Sequence, residues 1–226
     1  QVFYVSNFED GRIYRLDASG TILNWFDHGT AWNGQVGPVA LGDRPWAVEA
    51  HAGRLYYSMW NENCNGSSNL QNEIWSVQLD GMGDFVGLEQ LEITIPNFTS
   101  NHTWSSPVSD IRFSPDGTMF MAERTMVNFT TITAHYSRVL EYECYEGQWI
   151  LTPDNYHVGG VIEVGGIPGT NASGGVDVDS DRVWASGDAL RLNQPAPYTN
   201  IYGFTGIPIG GGTVADSLII DYQDNL

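Results

Sequence analysis

WAVEAH (46–51), RLYYSMW (54–60), NEIWSVQLDG (72–81) and LEITI (91–95) follow one another along the chain, separated by Gly, Asn, Asp and Ser clusters. Each run is five to ten residues long. Each is rich in β-branched and aromatic residues and bounded by turn formers, the signature of a strand and not of a helix. Together they read as a meander of four antiparallel strands.

The same cassette recurs. Runs of the second type are VFYVS (2–6), LYYSM (55–59), MFMAE (119–123) and VWASG (183–187), with starts spaced by 53, 64 and 64 residues. RIYRLD (12–17), EIWSVQLD (73–80), SRVLEYEC (137–144) and the weaker NIYGFTGI (200–207) follow them. WAVEAH, SDIRFSPDG (109–117) and GGVDVDSD (174–181) precede them, and TILNWF (21–26), LEITI, GQWIL (147–151) and SLIIDY (217–222) close each unit. Four-stranded units repeating at this interval define an all-β propeller. A β-sandwich gives no reason for one cassette to return. The expected architecture is one propeller domain over 1–226, with blades at roughly 1–43, 44–106, 107–172 and 173–226. The first cassette lacks its innermost strand and the last is complete, so the expectation is about four blades belonging to a larger ring, or a ring closed by other residues.

Composition narrows the partners. The chain has 226 residues, 27 acidic and 9 basic, for a net charge of −18. So acidic a surface repels nucleic acid and anionic membranes, whose affinity rests on Lys and Arg. No run approaches the ~20 apolar residues of a spanning helix, and membrane insertion is not expected. Aromatics at 12% exclude an acidic disordered chain.

The chain opens at Gln1 without an initiator Met. That fits a secreted protein whose leader has been removed, or an excerpt of a longer chain. Sequons at Asn65, Asn97, Asn101, Asn128 and Asn171 point to an extracellular glycoprotein carrying N-linked glycans. In an oxidising compartment Cys64 and Cys144 are expected to pair, with two buried thiols as the alternative.

SPDG (114–117) followed by TMFMAE is similar to the strand turn of NHL-repeat and gluconolactonase blades, and RLYYSMW followed by NEIWSVQLDG resembles the YWTD pattern. Val108 to Leu190 also resembles uncharacterised secreted bacterial propellers. The resemblance is to the six-bladed propeller group, and it implies a propeller fold. The gluconolactonase branch implies in addition a divalent metal held in the channel by Glu, Asn and Asp. Asp110 is the one position that carries over, since Ala47, Ser109 and Gly175 stand where that branch has Asn.

The channel mouth is expected to be lined by Trp46, Asp110 and Gly175, and by Asn7, Trp60, Arg124 and Asp188. Asp110, Glu123, Arg124 and Asp188 form the one ionisable cluster that the repeat alignment assembles. It reads either as a polar-ligand or calcium site, or as Arg124 neutralising Asp110 or Asp188 between blades. Asp177, Asp179 and Asp181 have the alternation of a calcium loop, or of an Asp-rich turn. Most tryptophans read as blade core; Trp32 and Trp104, in loops, are candidate glycan platforms. No metal spacing links the five histidines, and no G-x-S-x-G elbow occurs.

Two functions follow. The first is a non-catalytic extracellular propeller that builds or binds, in a surface coat or filament, through self-association or contact with other extracellular proteins and with calcium as a bridging ion. The second is a calcium-dependent lactonase or esterase of the gluconolactonase type.

Overall fold

The computed structural model describes residues 1–29, 31–64, 70–97, 104–128, 130–132, 136–160, 167, 169–190 and 201–222. It is all-β, with blade-like antiparallel sheets of the propeller type. β1 (Val2–Ser6), β2 (Arg12–Asp17) and β3 (Ile22–Asp27) form the first sheet; β4 (Pro45–His51), β5 (Arg54–Met59), β6 (Glu73–Leu79) and β7 (Phe85–Thr94) form the second. β8 (Val108–Phe113), β9 (Met119–Glu123), β10 (Val139–Tyr145) and β11 (Gln148–Leu151) form the third. β12 (Ala172–Val178), β13 (Arg182–Gly187), β14 (Gly203–Pro208) and β15 (Leu218–Asp221) form the fourth, with one 3-10 turn at Val214–Asp216. Every sheet is a meander of sequence neighbours. Among the described residues the first has three strands and the others four, in line with the cassettes read from the sequence.

Contacts group the chain into two compact units, residues 1–102 and 103–226. In the first, Ile13, Leu55, Tyr57, Met59 and Val77 are buried, with Tyr4 and Phe26 packed on them. In the second, Phe120, Ala122 and Val139 of the third sheet are buried with Val183, Ala185 and Ile207 of the fourth. Outer strands are largely exposed, as in Leu218–Asp221.

The turns explain the Asp and Gly clusters. Asp80 Oδ1 accepts from the Met82 and Asp84 amides at 2.8 Å each, and Gly83 donates to Asp80 O at 2.9 Å with φ 81°. Asp17 and Gly20 repeat this device in the first sheet. A side-chain acceptor closes the turn, and glycine takes the left-handed backbone.

Strand pairing moves one detail of the repeat. Phe3 stands opposite Leu16, and Leu55 opposite Val77. With Ile13 matched to Ile74, Phe3 and not Val2 is the counterpart of Leu55. Runs such as Leu55-Tyr56-Tyr57 are apolar on both faces, so the sequence alone does not locate the register.

His28 is half-buried beside the first unit's core, its Nδ1 hydrogen-bonded to the Tyr57 hydroxyl at 2.9 Å and its ring 4.7 Å from Trp75. Burial lowers its pKa below 6.5, against the pull of Glu89, Asp43, Glu73 and Asp27. A base whose folded pKa is depressed contributes stability that is complete above the unfolded value and lost as pH falls toward the folded one. The thermal midpoint should therefore drop as pH falls below 6.5. The His28→Gln variant, melted across the same pH series, should show a smaller drop.

Candidate functional site

Within the predicted channel cluster, Glu123 and Asp110 are engaged by different partners. Glu123, at the end of β9, is fully buried. It accepts from the Arg138 backbone N–H at 2.9 Å, from Nε at 2.9 Å and from Nη2 at 2.5 Å. Its partner is Arg138, a residue missed in the sequence; the signal is its place just before β10, directly across from Glu123 once β9 and β10 are paired. Asp110 instead joins two strands of different sheets. Its Oδ2 accepts from Val176 N on β12 and its Oδ1 from Ile111 N, each at 3.0 Å, with Arg112 Nη1 3.3 Å away. Burial pushes the Asp110 carboxyl up, while the Val176 amide and Arg112 pull it down.

Arg124 and Asp188 do come together. They line a cleft of about 420 Å³ with Ser173, Ser186, Tyr202 and Gly203. The Arg124 Nη1 donates to Ser173 O at 2.9 Å, which holds the guanidinium at the start of β12. Burial lowers the Arg124 pKa, and Asp188 opposes this. The chain can approach because residue 174 is glycine. Its φ is 92°, and a Cβ there would lie 2.4 Å from Ser109 Oγ and 3.1 Å from Arg124 Cβ. The cleft offers a cation, a carboxylate and a phenol, a set suited to a polar ligand with both donors and acceptors.

Asp177, Asp179 and Asp181 do not assemble as a metal trio, and among the described residues no group of three or more His, Cys, Asp or Glu could hold an ion. Asp179 closes the β12–β13 turn by accepting from the Asp181 and Arg182 amides at 2.8 and 2.9 Å, and from Trp184 Nε1 at 2.7 Å. These donors, Trp184 foremost, hold its pKa below the ordinary value. Asp177 stands exposed on β12 near Arg112. The alternation marks a turn.

Two further expectations are corrected. No disulfide joins Cys64 to Cys144: the first is buried in its own unit, the second exposed on β10. Asn171 is fully buried, with its N–H donating to Val158 O at 3.0 Å, and leaves no room for a glycan in the folded chain. Asn97 and Asn128 are exposed; Asn65 and Asn101 lie outside the described residues.

Of the other mouth positions, Trp60 is buried beside Trp46 and Phe8, with the Arg44 guanidinium 4.8 Å over its ring. Burial lowers the Arg44 pKa. The sequence reading did not assign this cation–aromatic packing; its trace there is Trp46, two residues after Arg44, in β4, and Trp60, just after β5. Trp32 is half-exposed with Arg12 5.5 Å over its ring, and Trp104 packs on Tyr136 at 4.3 Å.

No family model matches the chain, and no curated protein matches it.

Proposed function

We propose that this is a non-catalytic extracellular glycoprotein whose propeller blades serve as a structural or binding module, a subunit of a surface coat or filament. The observation that carries this reading is the engagement of the Glu123 and Asp110 carboxylates by groups of the chain itself. Glu123 is taken up by Arg138, and Asp110 by the amides of Val176 and Ile111. A hydrolytic centre of the gluconolactonase type needs several oxygens converging on one ion, with an open position for substrate. The exposure of Asn97 and Asn128 agrees with glycan-bearing loops. Arg124 and Asp188 supply the polar side of a binding role.

The test combines two measurements on native material. Digestion with an N-glycan-removing amidase should lower the mass in steps, with Asn97 and Asn128 among the occupied sites. Lactone and ester substrates should turn over no faster with calcium than with a chelator. Unmodified asparagines, together with calcium-dependent turnover lost in Asp110→Ala, would replace this reading with the lactonase.

A further inference from the structure

The loop between β3 and β4 carries a cleft of about 160 Å³, lined by Trp32, Asn33, Gln35, Pro38, Val39 and Asp43. The loop has no strand or helix among its described residues, yet its backbone is pinned. Val39 N donates to Phe8 O at 2.8 Å, Gly42 N to Trp60 O at 3.0 Å and Asp43 N to Ala40 O at 3.2 Å. Arg44 Nη2 donates to Val39 O, and Asn33 Oδ1 accepts from Gln35 N at 3.1 Å. A long connection held by so many bonds is the usual form of a binding loop.

Trp32 is held as firmly. Its backbone N–H donates to Asp27 Oδ2 at 3.3 Å, and the same oxygen accepts from Arg12 Nε at 3.2 Å. The Arg12 guanidinium lies 5.1 Å over the Trp25 ring and 5.5 Å over that of Trp32. Arg12 thus takes one side of the indole, and Asp27 meets its charge. The Trp32 residue remains 40% exposed and lines the cleft. A large aromatic surface fixed beforehand costs a ligand little ordering entropy.

The polar groups beside the ring select the ligand. The Asn33 and Gln35 amides offer donors and acceptors, whereas the Asp43 carboxylate only accepts. Among the described lining residues none is Lys, Arg or His, so an anion would meet Asp43 without a cation, in a chain of net charge −18. An ammonium ion only donates and would leave the amide N–H groups facing a positive charge. A hydroxyl does both and suits all three side chains. A sugar ring joins such hydroxyls to a face of C–H groups, which the negative face of an indole attracts. The cleft has room for one ring and not for a chain.

We propose that this cleft binds a neutral sugar residue, with its C–H face on Trp32 and its hydroxyls on Asn33, Gln35 and Asp43. The proposal gives the binding role above a ligand class, and rests on that reading for the source of the sugar, the glycans of an extracellular surface.

Saturation-transfer NMR of the full chain tests this, with the methyl pyranosides of glucose, galactose, mannose and N-acetylglucosamine as probes. At least one should bind with a Kd on the order of 1 mM, the range open to a one-ring ligand. Trp32→Ala should weaken it about tenfold or more, through loss of the central aromatic anchor. Gln35→Ala, at an exposed position, should weaken it roughly threefold, the worth of one hydrogen bond. Circular dichroism matching the wild type shows that each variant is folded. Methyl glucuronide and tetramethylammonium, charged probes of opposite sign, should both bind more weakly than the best neutral sugar. Absence of binding by every neutral sugar, binding unchanged in either variant, or tighter binding of either charged probe would each overturn the proposal. The glycan and hydrolysis measurements above decide the extracellular, non-catalytic reading separately.

Discussion

Glu123→Ala should lower the unfolding free energy by about 3–5 kcal/mol, the usual cost of removing one partner of a buried ion pair. The magnitude follows from its position. Glu123 is 1% exposed and accepts from three N–H groups of Arg138, one on the backbone and two on the guanidinium. Truncation takes that acceptor from all three and leaves a guanidinium that is largely withdrawn from water. Glu123→Gln keeps one acceptor oxygen and should lose about 1.5–3 kcal/mol, the worth of hydrogen bonds to a charged group. Urea unfolding followed by tryptophan fluorescence measures both variants. The losses should be equal with calcium and with chelator, since the carboxylate serves Arg138. A calcium-dependent difference, or a loss under 1 kcal/mol, which is the range of exposed pairs, would contradict the structural role.

Phe120→Ala should cost about 3–5 kcal/mol through lost burial and the cavity left behind. Phe120 is buried at the contact of the third and fourth sheets, its ring edge-on to Tyr156 at 5.8 Å. Tyr156 in turn donates to Glu141 Oε2 at 2.5 Å and accepts from Gly210 N at 3.2 Å. The cavity would therefore be lined on one side by a ring fixed in place, which limits collapse. Hydrogen exchange should locate the loosening at β9 and β13. Phe120→Leu refills most of the volume and should recover most of the loss. Equal losses for Ala and Leu would mean that ring geometry, and not volume, sets the stability.

Much of the fold was legible because it depends on local chemistry. Short apolar and aromatic runs marked the strands, and Asp and Gly clusters marked the turns between them, as at Asp17–Gly20 and Asp80–Gly83. Repetition of the cassette makes the three-stranded first sheet legible in the sequence. The site was less legible. Asp110, Glu123, Arg124 and Asp188 occupy matching places in the repeat, yet only Arg124 and Asp188 share a cleft. Charge and spacing did not show that Glu123 faces Arg138, because that partner is set by pairing between β9 and β10. Asn171 carried a sequon in a glycine-rich stretch that reads as a loop, and only its packing against Val158 and Ser137 shows that it is buried.

By itself the sequence determined an acidic, all-β chain of repeated strand cassettes, three strands in the first and four in each of the others. These features follow from side-chain periodicity and turn residues that act within a few positions of each other. The tertiary structure alone decided the one-residue register that matches Phe3 with Leu55, the choice of Arg138 for Glu123, and the separation of Cys64 from Cys144 as a buried and an exposed thiol. A strand with apolar residues on both faces is compatible with two registers, and a charge selects its partner only after pairing brings distant segments within hydrogen-bond reach.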